Sequence, residues 1–111
     1  MATFNINLNI HYSAPERVWD KLIQLYQEMP YWNRFVHGCP QWYGIGGKLI
    51  EASVEPSGLQ FYAELPEQEW DTWISLFKTK ATSLLGYEIG EPEEGYDFKY
   101  YDWQISICKW D

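Results

Sequence analysis

The stretch "KLIEASVEPSGLQFYAEL", Lys48 to Leu65, decides the fold. Its first half alternates, with Leu49, Glu51 and Ser53 set against Ile50, Ala52 and Val54. Glu55-Pro56-Ser57-Gly58 is turn chemistry. Leu59, Phe61, Ala63 and Leu65 then alternate with Gln60, Tyr62 and Glu64. Two period-2 runs around such a turn predict an antiparallel hairpin, apolar on one face and polar on the other.

Working outward, Pro66-Glu67-Gln68-Glu69 reads as the opening of a helix. Its acids fall where the helix dipole favours negative charge. Trp70, Trp73, Ile74, Phe77, Ala81 and Leu84 form its apolar stripe, and Gly86 suits the position just past its end. Upstream, FNINLNI at residues 4–10 alternates Phe4, Ile6, Leu8 and Ile10 with Asn5, Asn7 and Asn9, predicting a strand with one wet face. Ser13-Ala14-Pro15-Glu16 reads as a capping box. A helix follows through Val18, Leu22, Leu25, Tyr26 and Met29 until Pro30 stops it. Residues 30–47 show neither period, so they are read as a long aromatic loop with room for a short strand around Gln41–Tyr43. Tyr87–Gly90 and Tyr96–Ile107 read as strand pieces either side of the turn Glu91–Gly95.

The resulting order, strand, helix, two strands, helix, strand, predicts a ferredoxin-like α+β sandwich: an antiparallel sheet with two helices on one face. Asn5, Asn7, Asn9, Glu51, Ser53, Tyr62 and Glu64 are placed on the wet face. The 111 residues make one domain.

Net charge is −8, which argues against nucleic acid or an anionic membrane as partner and permits a basic protein. The charge is uneven. Residues 1–48 hold four basic and three acidic side chains, residues 49–111 four basic and thirteen acidic. Two cysteines, Cys39 and Cys108, are too few for a disulfide scaffold. No signal peptide or ~20-residue apolar run is evident, so a cytoplasmic location is expected.

No catalytic or cofactor motif stands out. His37 and Cys39 make an H-x-C pair with no further ligands at metal spacing, and a Cys–His nucleophile pair lacks a supporting motif. Gly44-Ile45-Gly46-Gly47 precedes a strand rather than a helix, so it is a turn and not a phosphate cradle. The many carboxylates lie in turns and first helical turns, where exposure explains them better than acid–base catalysis.

Two features carry a functional reading. Glu88, Glu91, Glu93, Glu94 and Asp97 crowd between Gly86 and Phe98 with no Lys or Arg among them. With Tyr96, Tyr100 and Asp102 they suggest a face where carboxylates steer a basic partner and rings anchor it. The plainer reading is a solvated strand pair. The second feature is the aromatic loop, where Tyr31, Trp32, Phe35, Trp42 and Tyr43 would line a small-molecule pocket or fold over one end of the core.

The layout, and locally "LLGYEIGEPEEGYDF" from Leu84 to Phe98, resembles the small acidic immunity proteins of bacterial polymorphic-toxin systems. The resemblance implies a non-enzymatic inhibitor, without cofactor, that binds a basic toxin domain such as a nuclease. A small-molecule-binding or regulatory ferredoxin-like domain is the alternative, and a homodimer through the sheet face is compatible with either. "HYSAPERVWDKL", His11 to Leu22, also looks like the opening of a START-like domain. That fold closes with a long C-terminal helix, whereas YYDWQISICKWD reads as strand, so it is set aside.

Overall fold

A computed structural model describes residues 1–99. The elements are β1 (Ala2–Leu8), α1 (Glu16–Glu28), β2 (Trp32–Val36), β3 (Cys39–Tyr43), β4 (Leu49–Glu55), β5 (Gly58–Leu65), α2 (Glu67–Leu85) and a 3₁₀ turn, Pro92–Glu94. Among the described residues five strands form one antiparallel sheet in the order β1-β5-β4-β3-β2. The α+β class, the antiparallel sheet and both helices are as the periodicities predict.

The register places Phe4 opposite Ala63, Ala63 opposite Ile50, and Ile50 opposite Trp42. These residues share the face that α1 and α2 cover. Val18, Leu22, Leu25 and Tyr26 of α1 join Trp70, Trp73, Ile74 and Phe77 of α2 in one buried cluster with the sheet. The core is largely aromatic. Trp42 meets Tyr26, Phe61 and Trp73 with ring centroids 5.6, 6.1 and 4.7 Å away. Burying so many rings leaves each indole N–H in need of an acceptor. Trp42 Nε1 donates to the Tyr26 carbonyl at 2.8 Å, and Trp73 Nε1 donates to the Pro30 carbonyl at 3.0 Å.

Strand count and order depart from the four-strand ferredoxin-like plan. β1, β5 and β4 lie side by side, and the sheet gains a hairpin, β2–β3, from the segment read as an aromatic loop. His37 (φ 52°) and Gly38 (φ 81°) both take the left-handed conformation. That is the twist a two-residue primed turn needs. The short strand anticipated at Gln41–Tyr43 lies inside β3. Among the described residues β1 has one strand neighbour, β5.

Three further expectations change. Ser13 does not cap α1; its hydroxyl and backbone N–H both bond to His11 Nδ1, at 2.6 and 3.1 Å. Asn9 is not on the wet face but is buried, 1% exposed. Residues 87–90 and 96–99 are not strands. The remainder of the piece expected over Tyr96–Ile107, with Tyr100 and Asp102, lies outside the described residues. So does the C-terminal stretch on which the START-like layout was set aside.

The wet face is otherwise as expected. Gln60 Nε2 donates to Asn5 Oδ1 at 2.8 Å, Ser57 Oγ to Asn7 Oδ1 at 2.9 Å, and the Tyr62 hydroxyl to Glu64 at 2.7 Å.

Candidate functional site

The acidic segment begins where α2 ends. Gly86 closes the helix in the left-handed conformation, and its N–H returns to the Thr82 carbonyl at 3.0 Å. Ile89 then buries its side chain while its N–H bonds to Thr82 Oγ1 at 3.0 Å. From there the chain is tied to the end of β1. The tie is Asn9. Its Oδ1 accepts the Gly90 N–H at 2.8 Å, and its Nδ2 donates to the carbonyls of Glu88 and Asp97 at 2.9 and 2.8 Å. Its backbone N–H donates to the Gly90 carbonyl at 3.0 Å, and its own carbonyl accepts the Tyr87 hydroxyl at 2.8 Å. A buried primary amide must find partners for both its oxygen and its nitrogen, and here both do.

Between these ties residues 91–96 form a tight turn, with Glu94 N–H to Glu91 O at 2.9 Å and Gly95 N–H to Pro92 O at 3.1 Å. The Tyr96 ring lies against Gly90, so closely that a side chain at Gly90 would overlap it. Phe98 packs on Gly58 and meets the His11 ring edge-on at 5.8 Å. The segment is therefore a strap fastened at both ends.

The strap gathers Glu91, Glu93 and Glu94 on one turn. Glu88, Glu93, Glu94 and Asp97 are exposed, while Glu91 and Tyr96 are half-buried. Glu91 is held above the ordinary carboxylate range, first by burial and then by the nearby charge of Glu94. Lys78 opposes this from 3.9 Å, too far for a tight ion pair. Two shallow depressions border the strap. One, about 240 Å³, lies beside Asn5, Asn7, Ser57, Glu91 and Glu93. The other, about 390 Å³, lies beside Ser75, Lys78, Thr82, Glu88 and Tyr96. Of the predicted face, Glu88 and Tyr96 thus lie toward α2, and Glu91 and Glu93 toward β1.

The aromatic set is divided. Trp42 is fully buried and belongs to the core. Trp32 packs on the core and meets Phe35 at 5.0 Å. Phe35 opens onto an apolar groove of about 190 Å³ with Trp19, Ile23, Pro40 and Val54. Only Tyr31 and Tyr43 share a groove, at the other end of the hairpin, with Pro30, Glu69, Thr72 and Leu76. The five residues do not line one pocket, because period-2 strand geometry sends Trp42 inward and Tyr43 outward. The contribution of α2 to this groove carries no signature in the sequence, since nothing in its stripe marks Glu69 or Thr72.

His37 is exposed on the hairpin turn and Cys39 is half-buried. Among the described residues no group of three or more His, Cys, Asp and Glu side chains is placed to hold a metal ion. No helix among them is long and apolar enough to cross a membrane. Comparison with known proteins found no matching family model, no matching curated protein and no matching solved structure.

Proposed function

We propose that this chain is a non-catalytic protein-binding domain whose strap, residues 88–97, recognises a basic partner, in the manner of the immunity proteins it resembles. A toxin domain with a cationic cleft, such as a nuclease, is the partner class this reading names. The ferredoxin-like relationship belongs to the same proposal and is supported by the adjacency of β1, β5 and β4.

The observation that carries it is the gathering of the exposed Glu88, Glu93, Glu94 and Asp97 on one strap whose backbone Asn9 fastens. The fold holds these like charges together, with Lys78 opposing them at Glu91, and a cationic partner relieves their repulsion. Because the strap's backbone is fixed by Asn9, little ordering entropy is lost on docking, and the carboxylates steer encounter.

The test uses a triple variant, Glu88→Gln, Glu93→Gln and Glu94→Gln, all at exposed positions. The wild-type chain is expected to retain a basic protein from lysate of its source at low salt and release it at high salt. With that protein purified, the variant should associate at least tenfold more slowly at low salt, with a flatter salt dependence. Equal association rates and salt slopes for both chains would remove the strap as the recognition surface.

A further inference from the structure

The groove beside Phe35 opens where the sheet parts. β3 and β4 pair only over Gln41–Tyr43 and Leu49–Glu51, although β4 runs on to Glu55 beside β5. Pro40 accounts for the break. One more step of the register would set it opposite Ala52, and it has no N–H to offer the ladder. Trp19 and Ile23 of α1 close the notch on one side, and Phe35, Pro40, Val54 and Leu59 complete the walls around about 190 Å³. No residue of the strap borders it.

Tyr26 lines the same groove and is 4% exposed. Its carbonyl accepts the Trp42 indole at 2.8 Å, and its ring meets those of Trp42 and Phe77 at 5.6 and 6.2 Å. Its hydroxyl, by contrast, has no hydrogen-bond partner among the described residues. A buried hydroxyl is ordinarily satisfied, so this one points to a missing acceptor. Burial, and then Cys39, hold it above the usual phenol range, so it stays protonated and able to donate. Trp19, also on the groove, already gives its indole N–H to the Ala14 carbonyl at 3.0 Å.

The lining also limits the charge of an occupant. No Asp, Glu, Lys or Arg borders the groove. An ion seated there would lose its hydration without gaining a countercharge. A ligand with no polar atom would seal the Tyr26 hydroxyl in without an acceptor. The volume lies below that of a drug-sized pocket, which restricts the ligand to about one ring.

We propose that this groove binds a small neutral molecule made of an apolar ring and a carbonyl-type acceptor, which takes the hydrogen bond of the Tyr26 hydroxyl.

The full chain is titrated by NMR with acetophenone and, separately, with the anion benzoate. Acetophenone is expected to shift the Ala52, Val54 and Leu59 amides and the Trp19 indole N–H saturably, and benzoate to bind at least about fivefold more weakly. Tyr26→Phe should weaken acetophenone by about fivefold without lowering the unfolding temperature, because no bond within the chain is lost. Phe35→Ala, on the exposed wall, should also weaken acetophenone by about fivefold. No saturable shift up to about 20 mM acetophenone would overturn the proposal. Unchanged affinity in Tyr26→Phe, or equal affinity for benzoate, would do the same. A destabilised Tyr26→Phe would show that the hydroxyl has a partner inside the fold, which also overturns it. Shifts of the same amides on dilution without any probe would mean that a second copy fills the groove, and would count against the proposal equally.

Discussion

Asn9 and Gly90 exchange two hydrogen bonds across 81 positions of sequence: Asn9 Oδ1 accepts the Gly90 N–H at 2.8 Å, and the Asn9 N–H donates to the Gly90 carbonyl at 3.0 Å. This pair joins the end of β1 to the strap. Asn9→Ala would leave the Gly90 N–H and two carbonyls without partners and should cost about 3 kcal/mol. The melting temperature should fall by roughly 15 °C. Asn9→Asp is the sharper variant. A carboxylate still accepts from Gly90 but cannot donate to Glu88 and Asp97, so it should also destabilise. Urea unfolding of both variants measures this, and wild-type stability in Asn9→Asp would contradict the assignment of Nδ2 as donor.

Gly90 is a glycine because the Tyr96 ring occupies the space a side chain would need. Gly90→Ala should displace that ring and loosen the strap at a cost of about 1–3 kcal/mol. Tyr96→Ala alone removes the ring's packing, and in the double variant the alanine at 90 should add little further loss. A double-mutant cycle on unfolding free energies reads the coupling. Strict additivity would show that the contact does not constrain the strap.

Glu91 gives stability a pH dependence of defined sign. In the unfolded chain a Glu releases its proton near pH 4.3. In the folded chain burial and Glu94 keep the proton to higher pH. Ionisation of Glu91 therefore penalises folding above its raised value, and the penalty disappears as pH falls below the unfolded value. Glu91→Gln should raise stability at neutral pH and have less effect at pH 4. Unfolding curves at the two pH values check this, and a benefit that grows on acidification would refute it.

Trp42 and Tyr31 should behave oppositely although both come from the same aromatic segment. Trp42→Ala removes a fully buried indole and its bond to the Tyr26 carbonyl. It should cost about 3–5 kcal/mol. Tyr31→Gly loses a ring stack but relieves a left-handed tyrosine, two terms of about 1 kcal/mol that offset each other. Thermal melts should separate the two variants widely, and a severe loss in Tyr31→Gly would show that the stack is structural.

What the sequence reveals follows from where local chemistry and tertiary context agree. The Lys48–Leu65 hairpin is legible because its alternation coincides with real burial, and α2 because its stripe ends at a glycine that takes the left-handed turn. The β2–β3 hairpin is hidden by His37, since the primed turn there is built without the usual Asn-Gly pair, and by Pro40, which discourages a strand reading. Asn9 is misplaced because alternation is projected past Leu8. The Ile10 N–H returns to the Leu8 carbonyl at 2.8 Å, and the chain turns so that Leu8, Asn9 and Ile10 are all buried. The acidic cluster is visible in composition, but its fastening is not, because no local pattern links position 9 to positions 88–97.

Every bond the Asn9 side chain makes to the strap ends on a main-chain atom: the carbonyls of Glu88 and Asp97 and the N–H of Gly90. The fastening therefore does not depend on which side chains the exposed positions carry. Glu88, Glu93, Glu94 and Asp97 can be exchanged, even for lysine, while the loop keeps its path. The end of β1 thus works as a buckle for an interchangeable surface. The same frame can carry a different set of side chains at four exposed positions, with Asn9, Gly90 and the core behind them left alone.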